Sequence, residues 1–124
     1  MLDVEVIGDA LPAEHVRAAA LLAAASAGIE DGHLAVEFVD AERIAELNEE
    51  FRGKTGPTDV LSFGVDEAGE AFGPRELGDV VICPEHTVDL EEAVVHGVLH
   101  LTGMDHETDD GEMLALQAEI MSWR

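Results

Sequence analysis

The stretch HGVLHLTGMDH, residues 96 to 106, holds three histidines at intervals that suit a metal ion. His96 and His100 are four residues apart. On a helix that spacing puts both side chains on one face, with Cβ atoms about 5–6 Å apart. Two imidazoles so placed can reach one zinc ion at Zn–N bonds of about 2.0–2.1 Å. Gly103 can take positive φ and end the helix, which lets the chain turn so that His106 returns to the same point. Three neutral nitrogen ligands leave a coordination position for water, the pattern of a catalytic zinc and not of a structural one. One Zn2+ ion on His96, His100 and His106 is therefore expected. The bland alternative is a pair of satisfied core histidines plus a surface one. It is weakened because two imidazoles on an otherwise apolar helix carry ring nitrogens that need partners.

Gly97 decides what chemistry such a metal could do. The spacing His-x3-His-x2-Gly-x2-His matches the metzincin peptidases, in which Glu follows the first histidine as general base. Glycine cannot take a proton, so a peptidase would need its base from elsewhere. A zinc peptidase, or another metallohydrolase, stays as an alternative.

The helix that carries the pair is DLEEAVVHGVLHLTG, residues 89 to 103. Asp89 and Glu92 have capping-box spacing. Between the first turn and Thr102 at its end, His96 and His100 are its only polar side chains, so it should be buried. Upstream, LDVEVI (2 to 7) and HLAVEFVD (33 to 40) alternate with the period of half-buried strands. Residues 12 to 28 open with Pro and close with Gly, as helices do. Asp40 is a candidate N-cap for a helix over 40 to 51, with Ile44, Leu47 and Phe51 on one face. A Gly- and Pro-punctuated loop, RGKTGPTDVLSF (52 to 63), enters a short strand. GDVVIC (78 to 83) reads as a central strand. The two short strands should pair as a long-looped hairpin. Residues 107 to 122 form a last helix carrying Met113, Leu116 and Ile120. The order is β-α-β-α-β-β-α-α. That implies a single α+β domain, 1–124, with a mixed sheet of about four strands packed with about four helices.

Composition limits the partners. There are 28 acidic residues against 6 basic ones, a net charge of −22 that repels polyanions at long range. Arg52, Lys54 and Arg75 lie close together in sequence and could form a local basic patch. The single cysteine, Cys83, permits no internal disulfide and fits a reducing cytoplasm. AAALLAAASAG (18 to 28) resembles a signal-peptide core. Asp3, Glu5, Asp9 and Glu14 ahead of it have the wrong charge for one. No stretch approaches the roughly 20 apolar residues of a membrane span.

HGVLHLTGMDH resembles the signature of the YbeY family of bacterial endoribonucleases. LNEEFRGKTGPTDVLSF (47 to 63) and LGDVVIC (77 to 83) resemble the family's other two blocks, in the expected order. The chain departs from the pattern in a shorter stretch between VVIC and HGVLH, and in Met104 where an aromatic is common. The resemblance implies an α+β fold and zinc on His96, His100 and His106. It also implies a functional arginine at Arg52 and a cytoplasmic, single-strand-specific endoribonuclease. The substrate would be ribosomal RNA, in 16S rRNA 3′ end maturation and ribosome quality control, with ribosome components as partners. Arg52 suits charge on phosphoryl oxygens, and Lys54 could assist as a point charge. Asp59, Asp79 or Asp105 could orient a ligand histidine, although strand-end or turn roles suit the first two better. His86 could approach the site, whereas His15 and His33 are expected to be solvated. A third possibility is a non-catalytic ribosome-assembly factor in which zinc only fixes the fold.

Overall fold

The alternation in Leu2–Ile7 does what its period requires. In this strand, β1, Leu2 and Val4 are buried and Asp3 and Glu5 are exposed. The computed structural model describes residues 2–64, 76–103 and 111–123. Helix α1, Ala13–Ser26, buries Val16, Ala19, Ala20, Ala23 and Ala24, a stripe at helical spacing made almost wholly of alanine. Small side chains let it lie close against β1 and the later helix over Leu90–Leu101, α3. Strand β2, Gly32–Phe38, pairs parallel with β1 from Leu2↔Gly32 to Ile7↔Glu37.

Helix α2, Ala41–Arg52, starts at Asp40, whose Oδ1 accepts the Arg43 amide at 2.8 Å. It stops at Gly53, which adopts φ 67°. Strands β3, Val60–Gly64, and β4, Glu76–Ile82, form the expected antiparallel hairpin. β4 also pairs parallel with β2, which gives a four-stranded sheet in the order β1-β2-β4-β3. The almost continuous apolar run of β4 is thereby explained. It is an inner strand covered on both faces. Val80 and Ile82 join the main core with α1 and with α3, Leu90–Leu101. Val81 and Cys83 face the other way, against Leu61 and the α2 residues Ile44 and Leu47. The register slips between His33 and Leu34, where Glu76 and then Gly78 are the partners. Leu77 is the extra residue of that bulge, and it turns into the main core.

A 3-10 turn, Pro84–His86, leads to α3, where Asp89 accepts the Glu92 amide at 3.1 Å. Helix α4, Glu112–Ser122, packs Met113 and Ile120, both fully buried, against the same core. The chain is thus the expected α+β domain: one mixed sheet, with α1, α3 and α4 in the larger core and α2 on the opposite face.

One expectation fails. Phe51 does not continue the buried face of Ile44 and Leu47, and is 60% exposed. The last turn of α2 reaches β3, an edge strand of the sheet among the described residues. Its ring instead meets Phe63 edge-on, with centroids 5.2 Å apart.

Candidate active site

Helix α3 brings His96 and His100 to one place. Their rings lie 4.8 Å apart, centroid to centroid, at 75° to each other. Both are half-buried, whereas Ala93, Val94, Val95, Gly97, Val98, Leu99 and Leu101 around them are buried. Beyond its first turn the helix is apolar on every side except the strip that bears the two imidazoles.

Gly97 sits between them and faces the sheet. A Cβ at this position would collide with Val80 Cγ1 and lie 3.0 Å from Cγ2. Ser62 of β3 donates its hydroxyl to the Gly97 carbonyl at 3.1 Å. Glycine here lets α3 settle onto β3 and β4, which holds the histidine strip at the sheet's edge. The residue after the first histidine therefore points into the core, where a catalytic carboxylate would have no room.

Past His100 the helix closes as expected. Thr102 Oγ1 donates to the Leu99 carbonyl at 2.6 Å, and the Gly103 amide donates to the His100 carbonyl at 3.0 Å. Gly103 has φ 105°. His106, Asp105, Met104 and Arg75 lie outside the described residues.

The histidines open onto a cleft of about 940 Å³ whose walls include Phe51, Arg52, Asp59, Ser62, His96 and His100. Arg52, which the sequence singled out from a different block, is thus in the same cleft as both imidazoles. Lys54 is exposed in the following loop. That loop is tied back by Asn48, which is 5% exposed and donates its amide to the Gly56 carbonyl at 2.9 Å. Asp59 lines the cleft, yet its Oδ1 accepts the Val60 amide at 2.8 Å, the bond of a strand-start residue. Asp79 lies away from the cleft, among Glu76, His33 and Glu5. His86 does approach. A smaller pocket of about 260 Å³ beside the cleft is lined by His86, Asp59, His96 and Gln117.

The remaining histidines have other duties. His15 is exposed, with Glu91 3.8 Å away. His33 is not simply solvated. Its Nδ1 donates to Glu76 at 2.9 Å, and Glu5 is 3.6 Å from Nε2. The Glu76 hydrogen bond holds its pKa above the ordinary 6.5.

Gln117 is the residue that sequence reasoning missed. Its Oε1 lies 2.8 Å from His96 Nδ1. The signal was available. Met113, Leu116, Gln117 and Ile120 follow i, i+3, i+4, i+7, so Gln117 occupies an inward slot of an apolar stripe.

The donor set fits a borderline cation such as zinc: two imidazoles on one face of a helix, beside an open cleft. Among the described residues no third His, Cys, Asp or Glu joins the pair to complete a cage.

Residues 9–123 match the family described as Endoribonuclease YbeY. A protein of that name from Bacillus cytotoxicus is 42% identical, with 80% of this chain and 78% of that one covered. Another, from Salinispora tropica, is also 42% identical, covering 73% and 74%. The solution structure of TM1509 from Thermotoga maritima superposes with a TM-score of 0.56 at 28% identity, over 96% of this chain and 87% of that one. The likeness runs through all three sequence blocks and the fold that joins them, and the chain belongs to the YbeY endoribonuclease family.

Proposed function

We propose that this chain is a zinc-dependent endoribonuclease that cuts single-stranded segments of ribosomal RNA in the cytoplasm. Its place would be 16S rRNA 3′ end maturation and ribosome quality control, with ribosome components as partners. The observation that carries this reading is the shared cleft. His96 and His100 from α3 and Arg52 from the end of α2 line one cavity.

His96 and His100 would hold the ion, with His106 as third ligand. When bound, zinc supplies Lewis-acid activation of water near neutral pH. Arg52 would take the phosphodiester. Its planar fork of N–H donors matches two phosphoryl oxygens and stays charged throughout the reaction. Phe51 supports the preference for single strands. The residue is 60% exposed at the cleft, and its ring is braced by Phe63, a platform on which an unpaired base can stack. A base inside a duplex cannot offer its face in this way. Gly97 weighs against peptide hydrolysis, because the slot for a peptidase's glutamate is filled by Val80.

The test is cleavage of an unstructured RNA and of the same sequence annealed to its complement, by zinc-loaded protein and by protein stripped with a chelator. We expect cutting of the single strand that is lost on stripping, restored by zinc and absent in His100→Ala. Intact RNA with fully loaded protein would end this reading. So would cutting that survives removal of the metal.

A further inference from the structure

His96 Nδ1 and Gln117 Oε1 are 2.8 Å apart, and only one of those atoms can bring the proton. An amide oxygen accepts and never donates. The ring must therefore carry its proton on Nδ1, which puts the lone pair of the neutral imidazole on Nε2. A histidine not so fixed divides between two tautomers and rotates about its χ angles, and only one arrangement aims a lone pair at a given point.

We infer that Gln117 is a positioning residue that fixes the His96 tautomer and aims Nε2 for the metal. Three features of the fold make it a support. Gln117 sits on the inward stripe of α4 between Met113 and Ile120, both fully buried, so its backbone is anchored. α4 packs on α3 and on α1, so the amide approaches from a second helix and not from a mobile loop. Gln117 also borders the small pocket behind His96, where it is half-buried and its hydrogen bond is partly shielded from water. The choice of amide has a consequence. A carboxylate in this place would make the imidazole more basic and add a negative charge. Glutamine orients the ring and leaves the charge of the site unchanged.

The inference rests on the zinc reading above, so its test uses two measurements that fail separately. The first needs no metal. Nitrogen NMR of the metal-free protein, at a pH where the ring is neutral, reads which nitrogen of His96 bears the proton. We expect Nδ1–H in the wild type and in Gln117→Glu, which keeps an acceptor oxygen. In Gln117→Leu, which has no acceptor, a mixture shifted toward Nε2–H is expected. The second is zinc affinity by competition with a coloured chelator. Gln117→Leu should bind zinc about 10–100-fold more weakly, the usual cost of losing such a partner. Gln117→Glu should bind as tightly as the wild type or more so. Exposed Leu114→Ala, on the same helix, should change neither reading.

Nε2–H in the wild type would overturn the inference outright. So would equal zinc affinity in wild type and Gln117→Leu, or equal weakening in the Leu and Glu variants. Wild-type protein that binds no zinc while showing Nδ1–H would instead overturn the metal reading and leave Gln117 as a tautomer lock without that purpose.

Discussion

Gly97 lies directly against Val80, with no room for a Cβ between helix and strand. Alanine is the better helix former by about 1 kcal/mol in an open helix. Here the added methyl must push α3 off β4, and overpacking of that kind costs about 1–3 kcal/mol. Gly97→Ala is therefore expected to lower the urea midpoint despite its propensity, and to weaken RNA cleavage by tilting the histidine strip. Val80→Ala should recover part of the loss in the double variant. A Gly97→Ala protein more stable than wild type would show that the helix is not held by this contact.

Arg52 is proposed to meet charge that grows in the transition state, so its loss should appear in kcat. Removing one such donor costs about 10²–10³-fold in comparable sites. Arg52→Ala should fall in that range with unchanged zinc content. Arg52→Lys should recover only part, since an ammonium is a point charge without the fork. Among the described residues, Arg52 and Lys54 are the cations at or beside the cleft. Two phosphate contacts give a salt slope of about −1.4 on a single strand, so binding should drop less than about tenfold between 50 and 200 mM salt. A much steeper fall would point to a larger basic surface.

Phe51 separates binding from folding. Its ring is largely exposed, so Phe51→Ala should leave thermal stability nearly unchanged. Stacking of one base is worth about 1–3 kcal/mol. The variant should raise KM for unstructured RNA about 5- to 150-fold, with a smaller effect on kcat. Phe51→Trp should restore the wild-type value. Cleavage of unstructured RNA at unchanged KM by Phe51→Ala would remove the platform from the account.

His33 should make stability depend on pH in a stated direction. Its hydrogen bond to Glu76 raises its pKa in the folded protein above 6.5. The stabilisation is then fully present below that ordinary value and disappears as pH rises through the higher folded value. The urea midpoint of wild type minus that of His33→Gln should therefore be largest at acidic pH and shrink above neutrality. A difference that grows with pH would contradict the His33–Glu76 pairing. The pair sits away from the cleft, so zinc affinity should be indifferent to the substitution.

Local pattern alone determined the elements of this protein and the pairing of His96 with His100. Period two fixed β1 and β2, and period 3.6 with Asp40, Asp89, Gly53 and Gly103 at the ends fixed the helices, because side-chain direction and backbone capping depend only on near neighbours. The four-residue step from His96 to His100 put two imidazoles on one face for the same reason. What near neighbours cannot encode is which surfaces meet. That Arg52 would share a cleft with those rings followed from β3 taking the edge of the sheet beside the end of α2. Phe51 looked like core from its spacing, and tertiary packing instead left it exposed at the cleft, edge-on to Phe63. Gln117, on another helix, became a partner of His96 through the packing of α4 on α3, a contact between residues 21 apart in sequence.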